Sequence, residues 1–297
     1  ATNNGASASI GGTASISGSV QSNAPITFSG ATTIGGNLAS NNGGPLTFGS
    51  SVSVGGAFQS NATVTVAGSL SVTGALSTNN GGPLTVSGAT TIGGNVNTNA
   101  TTNFSSTLAI GGALQINNGG PLSVTGAATI TGNVQSNATT SFGSSVAIGG
   151  ALQVNNGGPI TVTGAANVTG LVTINATTSI GGLATLGGGL TMNNGGNTTF
   201  SSGANITGNF TNNATATFTG NLNVSGTITN NGSGTITSSS GSCKGVCATS
   251  ISNNGTISST AGPNLAVCVS PSGSGSQSNV VVSVTPTAGP TGFSTSV

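Results

Sequence analysis

Few side chains in this chain could do chemistry. In 297 residues they are one lysine, Lys244, and three cysteines, Cys243, Cys247 and Cys268. The sequence contains no Asp, Glu, His, Arg, Tyr or Trp. General acid–base catalysis therefore lacks its usual donors, and a serine nucleophile lacks the base that would activate it. We expect neither an enzyme nor a cofactor.

The same composition argues against metal and nucleic-acid binding. Calcium and magnesium need carboxylate oxygens, and zinc usually takes sets of Cys and His. A single basic residue cannot neutralise a phosphate backbone. The sequence also lacks a run of about 18 apolar residues, so we expect no membrane span.

The three cysteines predict at most one intrachain disulfide with one thiol left over. A bridge is the expected state in an oxidising compartment, and three reduced, packed thiols are the alternative. A Cys243–Cys247 bridge would close a small loop, whereas a bridge to Cys268 would staple the C-terminal region. The sequence leaves this connectivity open.

Asparagine recurs at a constant interval of 19 residues from Asn4 to Asn213. This period indicates the structural elements on which the side chains lie. A fixed short period predicts a solenoid. We predict an inward-facing structural ladder, in which the amide at one corner of each coil hydrogen-bonds to the copies above and below. Its members are Asn23, Asn42, Asn61, Asn80, Asn99, Asn118, Asn137, Asn156, Asn175, Asn194 and Asn213.

Each coil reads as three short strands. Within residues 46–63, the apolar pairs Leu46/Phe48 and Val52/Val54 have the i, i+2 spacing of a strand, and Phe58 begins a third. The motif Asn-Asn-Gly-Gly-Pro returns in every second coil, so coils alternate between a long and a short corner. The predicted fold is all-β, a three-sided parallel β-solenoid of about 12 regular coils with about 19 residues each. Right-handed coiling is favoured.

The pattern divides the chain into three parts. Residues 1–230 are predicted to be solenoid repeats and residues 231–269 irregular coils with a cysteine-containing cap. Residues 270–297 are predicted to be a flexible Ser/Gly linker and a strand tail built on Val280, Val281, Val282 and Val284. This strand either folds back onto its own solenoid or adds to the edge of a neighbouring molecule.

The repeat resembles secreted β-strand-repeat surface proteins and, more loosely, the three-sided β-solenoid filaments of the bactofilin type. The resemblance rests on units such as Val52–Gly56 and Ile130–Val134 and covers roughly residues 8–230. It implies a solenoid fold and end-to-end polymerisation. The near absence of charge sets this chain apart from bactofilins, which are cytosolic and charged.

The absence of charge has a structural interpretation. Equivalent residues of stacked coils lie about 5 Å apart, so a charge in the repeat would face its own copies. A surface without titrating groups is indifferent to salt and pH, which suits an extracellular or cell-surface location. We therefore expect a structural subunit of an extracellular filament, sheath or surface layer, whose partners are copies of itself.

Two other functions stay open on the sequence alone, an adhesin stalk and an ice-binding solenoid that uses its hydroxyl columns. Thirteen Asn-X-Ser/Thr sequons occur in the chain, and the sequence leaves open whether they carry glycans. If the host glycosylates, sugars are expected at off-ladder sites such as Asn103, Asn167 or Asn205 rather than on the asparagine ladder, which we expect to lie inside.

Overall fold

The computed structural model of the chain describes residues 6–79, 81–238, 246–259, 265–267, 272–278 and 280–282. These residues form short β-strands and no helix. The chain divides into two compact units, unit 1 (Ala1–Val162) and unit 2 (Thr163–Val297). Both are built as a parallel β-solenoid with three sheets, and the chain makes about 12 turns. The predicted fold class is confirmed.

Unit 1 contains 25 strands among its described residues, each of three residues. The first nine are β1 (Ala8–Ile10), β2 (Ala14–Ile16), β3 (Val20–Ser22), β4 (Ile26–Phe28), β5 (Thr32–Ile34), β6 (Leu38–Ser40), β7 (Leu46–Phe48), β8 (Val52–Val54) and β9 (Phe58–Ser60). The next nine are β10 (Val64–Val66), β11 (Leu70–Val72), β12 (Leu76–Thr78), β13 (Leu84–Val86), β14 (Thr90–Ile92), β15 (Val96–Thr98), β16 (Thr102–Phe104), β17 (Leu108–Ile110) and β18 (Leu114–Ile116). The last seven are β19 (Leu122–Val124), β20 (Ala128–Ile130), β21 (Val134–Ser136), β22 (Thr140–Phe142), β23 (Val146–Ile148), β24 (Leu152–Val154) and β25 (Ile160–Val162).

Unit 2 continues the pattern with 18 described strands. The first nine are β26 (Ala166–Val168), β27 (Val172–Ile174), β28 (Thr178–Ile180), β29 (Ala184–Leu186), β30 (Leu190–Met192), β31 (Thr198–Phe200), β32 (Ala204–Ile206), β33 (Phe210–Asn212) and β34 (Thr215–Phe218). The others are β35 (Leu222–Val224), β36 (Thr227–Asn230), β37 (Thr235–Ser238), β38 (Val246–Cys247), β39 (Ser250–Asn253), β40 (Thr256–Ser259), β41 (Leu265–Val267), β42 (Ser276–Ser278) and β43 (Val280–Val282).

Three consecutive strands make one turn, and each strand pairs in parallel with its counterpart in the next turn. In unit 1 we call the sheets that begin with β1, β2 and β3 sheets I, II and III. In unit 2 the first strands of the corresponding sheets I, II and III are β28, β26 and β27. Main-chain hydrogen bonds between turns thus satisfy the backbone groups of the interior strands.

The length of a turn alternates between two values. Ile26 of β4 is paired with Leu46 of β7, and Leu46 is paired in turn with Val64 of β10. The first step, from 26 to 46, is thus longer by two than the second, from 46 to 64. The additional length lies in the long corner, which spans residues 41–45, whereas the short corner spans residues 61–63. The predicted period of 19 is therefore the mean of two unequal steps.

The core is a narrow column of stacked apolar side chains. In most strands the first and third residues are buried and the middle one faces solvent, as in β7, where Thr47 is exposed between Leu46 and Phe48. Equivalent residues stack directly, and the rings of Phe28 and Phe48 lie 5.0 Å apart at an interplanar angle of 7°. Burial of these side chains against the turns above and below stabilises the solenoid.

The C-terminal region differs from its sequence prediction. The segment assigned to a flexible linker contains β42, in which Ser276 is paired with Thr256 of β40. Val280, Val281 and Val282, predicted as an assembly strand, form β43 and pair in parallel with β41 of the same chain. The chain's own sheet edge supplies the main-chain partners that a free strand would otherwise seek elsewhere.

Of the two fates left open for this strand, the structure shows the return to its own solenoid. Val284 lies outside the described residues. The handedness of the coil stays a prediction, as does the division of the chain at residues 230 and 269.

Removal of one stacked ring should test the assignment of the core. We expect Phe48→Ala to lower the free energy of unfolding by about 3–5 kcal/mol, because it leaves a cavity beside Phe28. The matched control, Thr47→Ala, alters an exposed residue of the same strand and should change it by less than about 0.5 kcal/mol. Urea titrations followed by circular dichroism measure both, and equal losses would contradict the assignment.

Candidate functional site

The long corners of unit 1 are tight turns made of asparagine and glycine. In the first of them, the N–H of Gly44 donates to the carbonyl oxygen of Asn41 at 2.8 Å. Gly43, the third residue of the turn, has a φ of 90°, which a type II turn requires and which glycine adopts without strain. A Cβ atom at Gly44 would clash with the carbonyl oxygen of Ser22, so this position also needs glycine.

Amide side chains join each short corner to the long corner that follows it. In the first pair, Nδ2 of Asn41 donates to Oδ1 of Asn23 at 2.6 Å. The same bond, at 2.5–2.7 Å, joins Asn79 to Asn61, Asn117 to Asn99, Asn155 to Asn137, Asn193 to Asn175 and Asn231 to Asn213. These bonds link neighbouring turns through side chains, in addition to the main-chain ladder.

The ladder predicted from the sequence differs from these pairs. At the long corner it includes the second asparagine, at Asn42, Asn118, Asn156 and Asn194, whereas the first asparagine makes the bond. The reason is the alternation of the turn length: the step from Asn23 to its partner is 18, and a constant step of 19 overshoots that partner by one. Asn4 and Asn80 lie outside the described residues.

The corner asparagines also do not face inward. The six short-corner residues and their long-corner partners are half-buried, and the second long-corner asparagines at 42, 118, 156 and 194 are exposed. Inward-facing polar groups lie one residue before the corner instead. Ser60, for example, is fully buried, and its hydroxyl lies 2.9 and 3.0 Å from the carbonyl oxygens of Ala62 and Gly82, either of which can accept its single proton.

A buried asparagine ladder does exist, at a place that the period did not indicate. Asn212, Asn230 and Asn253 end three successive strands of sheet III in unit 2, and each is 0 % exposed. Nδ2 of Asn212 donates to Oδ1 of Asn230 at 2.8 Å, and Nδ2 of Asn230 to Oδ1 of Asn253 at 2.7 Å. In the sequence, Asn212 and Asn230 follow the apolar residues Phe210 and Ile228 by two positions. In a strand this spacing places both residues on the same side, so it was the signal that could have revealed the buried ladder.

The protruding long corners of unit 1 enclose shallow clefts. One of them has a volume of about 560 Å³ and is lined by Asn41, Asn42, Asn61, Asn79 and Asn99. A second cleft, of about 370 Å³, is lined by Asn118, Asn137, Asn155, Asn156 and Gly157. Their linings offer neutral amide donors and acceptors and no charge, so they suit hydrogen bonding to water or to neutral hydroxyl groups.

The first described turn of unit 1 differs from the turns that follow it in how far its strands are paired. Within the described residues β1, β2 and β3 each have a neighbour on one side only. Ile10 of β1 is paired with Phe28 of β4, but Ile10 is 36 % exposed whereas Phe28 is 1 % exposed. An inward-facing apolar side chain and a row of main-chain groups are thus presented in this turn. In unit 2 the last strands of the three sheets are β42, β43 and β39.

The structure describes one of the three cysteines. Cys247 ends β38 and is half-buried, whereas Cys243 and Cys268 lie outside the described residues. The disulfide therefore stays a prediction. Among the sequons, Asn167 and Asn205 are exposed at the middle of β26 and β32, and Asn103 is half-buried in β16.

Metal ligands and membrane-spanning helices are both missing from the described ranges. Those residues contain no group of three or more His, Cys, Asp or Glu side chains that could hold a metal ion. In the same part of the chain, no helix has the length and apolar character that crossing a membrane requires.

Comparisons with protein-family models, with curated proteins and with solved structures found no match. The solenoid of repeating strands is shown by the structure itself. The resemblance to secreted β-strand-repeat surface proteins and to bactofilins stays a prediction.

The buried asparagine ladder of unit 2 should be a major source of stability. Asn230→Ala leaves amide groups of Asn212 and Asn253 without their partner, and each buried unsatisfied group costs about 1–3 kcal/mol. Asn42→Ala, at an exposed corner, should change stability by less than about 0.5 kcal/mol. Thermal and urea unfolding of the two variants compare them, and similar melting of both would refute the structural role of this ladder.

Proposed function

We propose that the chain is a structural subunit of an extracellular filament, sheath or surface layer, and that it polymerises head to tail. The observation that carries the proposal is the in-register stacking of uncharged turns, in which each described strand between the first and the last of its sheet pairs with the equivalent strands of the turns before and after it. In the first described turn, Ile10 is 36 % exposed, and β1, β2 and β3 each pair on one side within the described residues. A second copy of the same chain would offer a further in-register turn of the same cross-section.

The order of the strands in the sheets identifies the strands that would pair at the joint, the contact between two copies of the chain. Among the described residues, the first strands of unit 1 in sheets I, II and III are β1, β2 and β3, and the last strands of the corresponding sheets in unit 2 are β42, β43 and β39. Parallel pairing of β42, β43 and β39 of one copy with β1, β2 and β3 of the next extends all three sheets. Such a contact joins two different surfaces, so it propagates without closing.

The first turn has none of the features that protect sheet edges in monomeric proteins. Exposed edges are usually guarded by lysine, proline or an inward-pointing charge. The strands β1, β2 and β3 read Ala-Ser-Ile, Ala-Ser-Ile and Val-Gln-Ser, with neither charge nor proline. With Lys244 as the one charged residue of the sequence, electrostatic repulsion between copies is also weak.

The role of the C-terminal valines changes with the structure. Because β43 is paired with β41, it does not hang free as a donor strand. Instead, its outer side is the surface that a second copy would extend. Assembly in this proposal is direct stacking of turn on turn, with main-chain hydrogen bonds and apolar burial at the joint.

An extracellular location follows from the same composition. Hydrogen bonds and apolar contacts change little with salt and pH, whereas ion pairs and titrating groups change strongly. A filament with one charged residue per subunit keeps its contacts in variable surroundings. The proposal includes no enzymatic activity, cofactor or nucleic-acid partner, and glycans are a partner only where the host glycosylates.

A charged side chain in the first described turn should prevent the contact between copies. We expect Ile10→Lys to abolish or shorten the fibres, because lysine would have to be buried without a partner in the new turn. Leu183→Lys is the matched control, since Leu183 is 42 % exposed in a corner before β29 and gains the same charge away from the first and last turns.

Electron microscopy of concentrated wild-type and variant protein provides the readout, and circular dichroism verifies that both variants fold. A wild-type chain that stays monomeric would sink the proposal. Fibres of equal length from Ile10→Lys and Leu183→Lys would show that the contact between copies does not involve Ile10 and the first turn.

One observation favours a second function, ice binding. Thr27, Thr47, Thr65 and Thr85 are paired in register at the middle of four successive strands of sheet I, and three of the four are exposed. They form a regular column of hydroxyl and methyl groups with a step of about 4.8 Å. The column continues with Asn103 and Ser123, which lack the threonine methyl group.

Ice binding would be seen as thermal hysteresis of a solution of the protein. If the column acts in this way, Thr47→Val and Thr65→Lys should lower the hysteresis, the second more strongly because lysine disrupts the flat column. Gln59→Lys, on sheet III, adds the same charge on another face and should leave it unchanged. Absence of hysteresis in the wild-type chain removes this candidate.

A further inference from the structure

The second asparagine of each long corner has no role in the amide pairs. Asn42 and Asn118 are exposed, and each is followed in the sequence by glycine. We propose that these two residues are sites of spontaneous deamidation, which converts a neutral corner of the solenoid into a negatively charged one. The reactant is the protein itself and the co-reactant is water, so the proposal does not depend on filament formation.

The reaction is an intramolecular acyl transfer. The main-chain nitrogen of Gly43 loses its proton and attacks Cγ of Asn42, forming a C–N bond and a five-membered succinimide. The C–N bond of the side-chain amide breaks, and ammonia leaves with the proton. Water then adds to either carbonyl of the succinimide, giving aspartate or isoaspartate. No oxidant or reductant is needed, since the balance is amide plus water to carboxylic acid plus ammonia.

Ring closure needs a free side-chain amide, a free main-chain nitrogen and room for the ring. Within the described part of the chain, the Asn42 amide and the Gly43 N–H make no hydrogen bond. A Cβ atom built on Gly43 would have its nearest neighbour, the carbonyl oxygen of Asn23, at 3.8 Å. Glycine adds no side chain to hinder the attack, and its φ of 90° places it in the turn.

The neighbouring asparagine of the same corner is protected. Asn41 is followed by Asn42 rather than glycine, and its Nδ2 donates to Oδ1 of Asn23 at 2.6 Å. Rotation of its amide toward the main chain would break this bond. Two adjacent asparagines therefore differ in reactivity because of the hydrogen bond of one and the exposure of the other.

Two other Asn-Gly pairs, both among the described residues, are held by hydrogen bonds. Nδ2 of Asn231 donates to Oδ1 of Asn213 at 2.6 Å, although Gly232 follows it. After Asn254, the N–H of Gly255 donates to the carbonyl oxygen of Asn230 at 3.2 Å, which engages the attacking nitrogen.

Two further long corners are held by bonds longer than the 2.6 Å bond of Asn231. The N–H of Gly157, after Asn156, donates to the carbonyl oxygen of Asn155 at 3.0 Å. Oδ1 of Asn194 accepts from the hydroxyl of Ser233 at 3.3 Å. The order of reactivity that follows is Asn42 and Asn118 first, Asn156 and Asn194 next, and Asn231 last.

Deamidation places negative charge on the long corners, which carry no charge when the chain is synthesised. Each event lowers the net charge by one, so deamidation of Asn42 and Asn118 takes the formal net charge from +1 to −1. The new carboxylate at residue 42 lies in the amide-lined cleft of about 560 Å³. Each new carboxylate titrates and is screened by salt, so deamidation should raise the sensitivity of this surface to both pH and salt.

The test follows deamidation in the intact, folded chain. The protein is incubated in mildly alkaline buffer, digested with a protease that cleaves after Phe and Leu, and mapped by mass spectrometry. We expect Asn42 and Asn118 to deamidate at least about tenfold faster than Asn231 in the native chain, because access to Asn231 requires local opening. In urea-denatured chain the three residues, all followed by glycine, should react at similar rates.

Matched variants separate the site from its surroundings. Asn42→Gln lengthens the side chain by one methylene, so the ring closes much more slowly, and the charge gain in its peptide should vanish. Asn213→Ala removes the acceptor that holds Asn231 and should raise the native rate at Asn231 toward that of Asn42. Equal native rates at Asn42 and Asn231, or reaction at Asn41 in place of Asn42, would overturn the proposal.

Discussion

Parallel, in-register pairing between turns is the interaction on which the rest of this structure depends. Each three-residue strand is too short to be stable alone, and its backbone groups find their partners only in the turns above and below. The pairing also brings equivalent side chains together about 4.8 Å apart, as Phe28 and Phe48 show. A residue type in the repeat must therefore tolerate contact with its own copy.

This self-contact accounts for the composition. Aliphatic side chains, rings and hydroxyls stack favourably on themselves, and an amide can donate to its copy and accept from it in the same geometry. Charged side chains repel their copies at this distance. The buried run of Asn212, Asn230 and Asn253 shows that even an interior polar position is accommodated, because each amide has the next as its partner.

The same pairing has no natural end. An interior turn uses both of its sides, whereas the first described turn uses one, and Ile10 is left partly in solvent where Phe28 is covered. A globular protein hides such an edge with charge, proline or a capping element. The proposed polymer is the other solution to this physical problem, since a further copy gives the first turn the second neighbour that interior turns already have.

The sequence by itself determined the fold class, the three strands of each turn and the inward and outward alternation within them. These follow from local spacing: Leu46 and Phe48 have the i, i+2 spacing of a strand, and the Asn-Asn-Gly-Gly motif can only be a turn. The near absence of charge, and with it the argument against most catalytic chemistry, is also a property of composition alone.

The tertiary structure decided which equivalent residues of successive turns contact each other. An asparagine at a constant interval suggested one ladder, but alternating steps of 18 and 20 pair Asn41 with Asn23 and leave Asn42 in solvent. Likewise Ser276–Ser278 and Val280–Val282 read as linker and free strand, yet they pair with β40 and β41. The physical reason is that pairing between turns joins residues that are far apart in the sequence, so the residues that meet depend on how the whole intervening turn folds and not on the local spacing that predicts a strand.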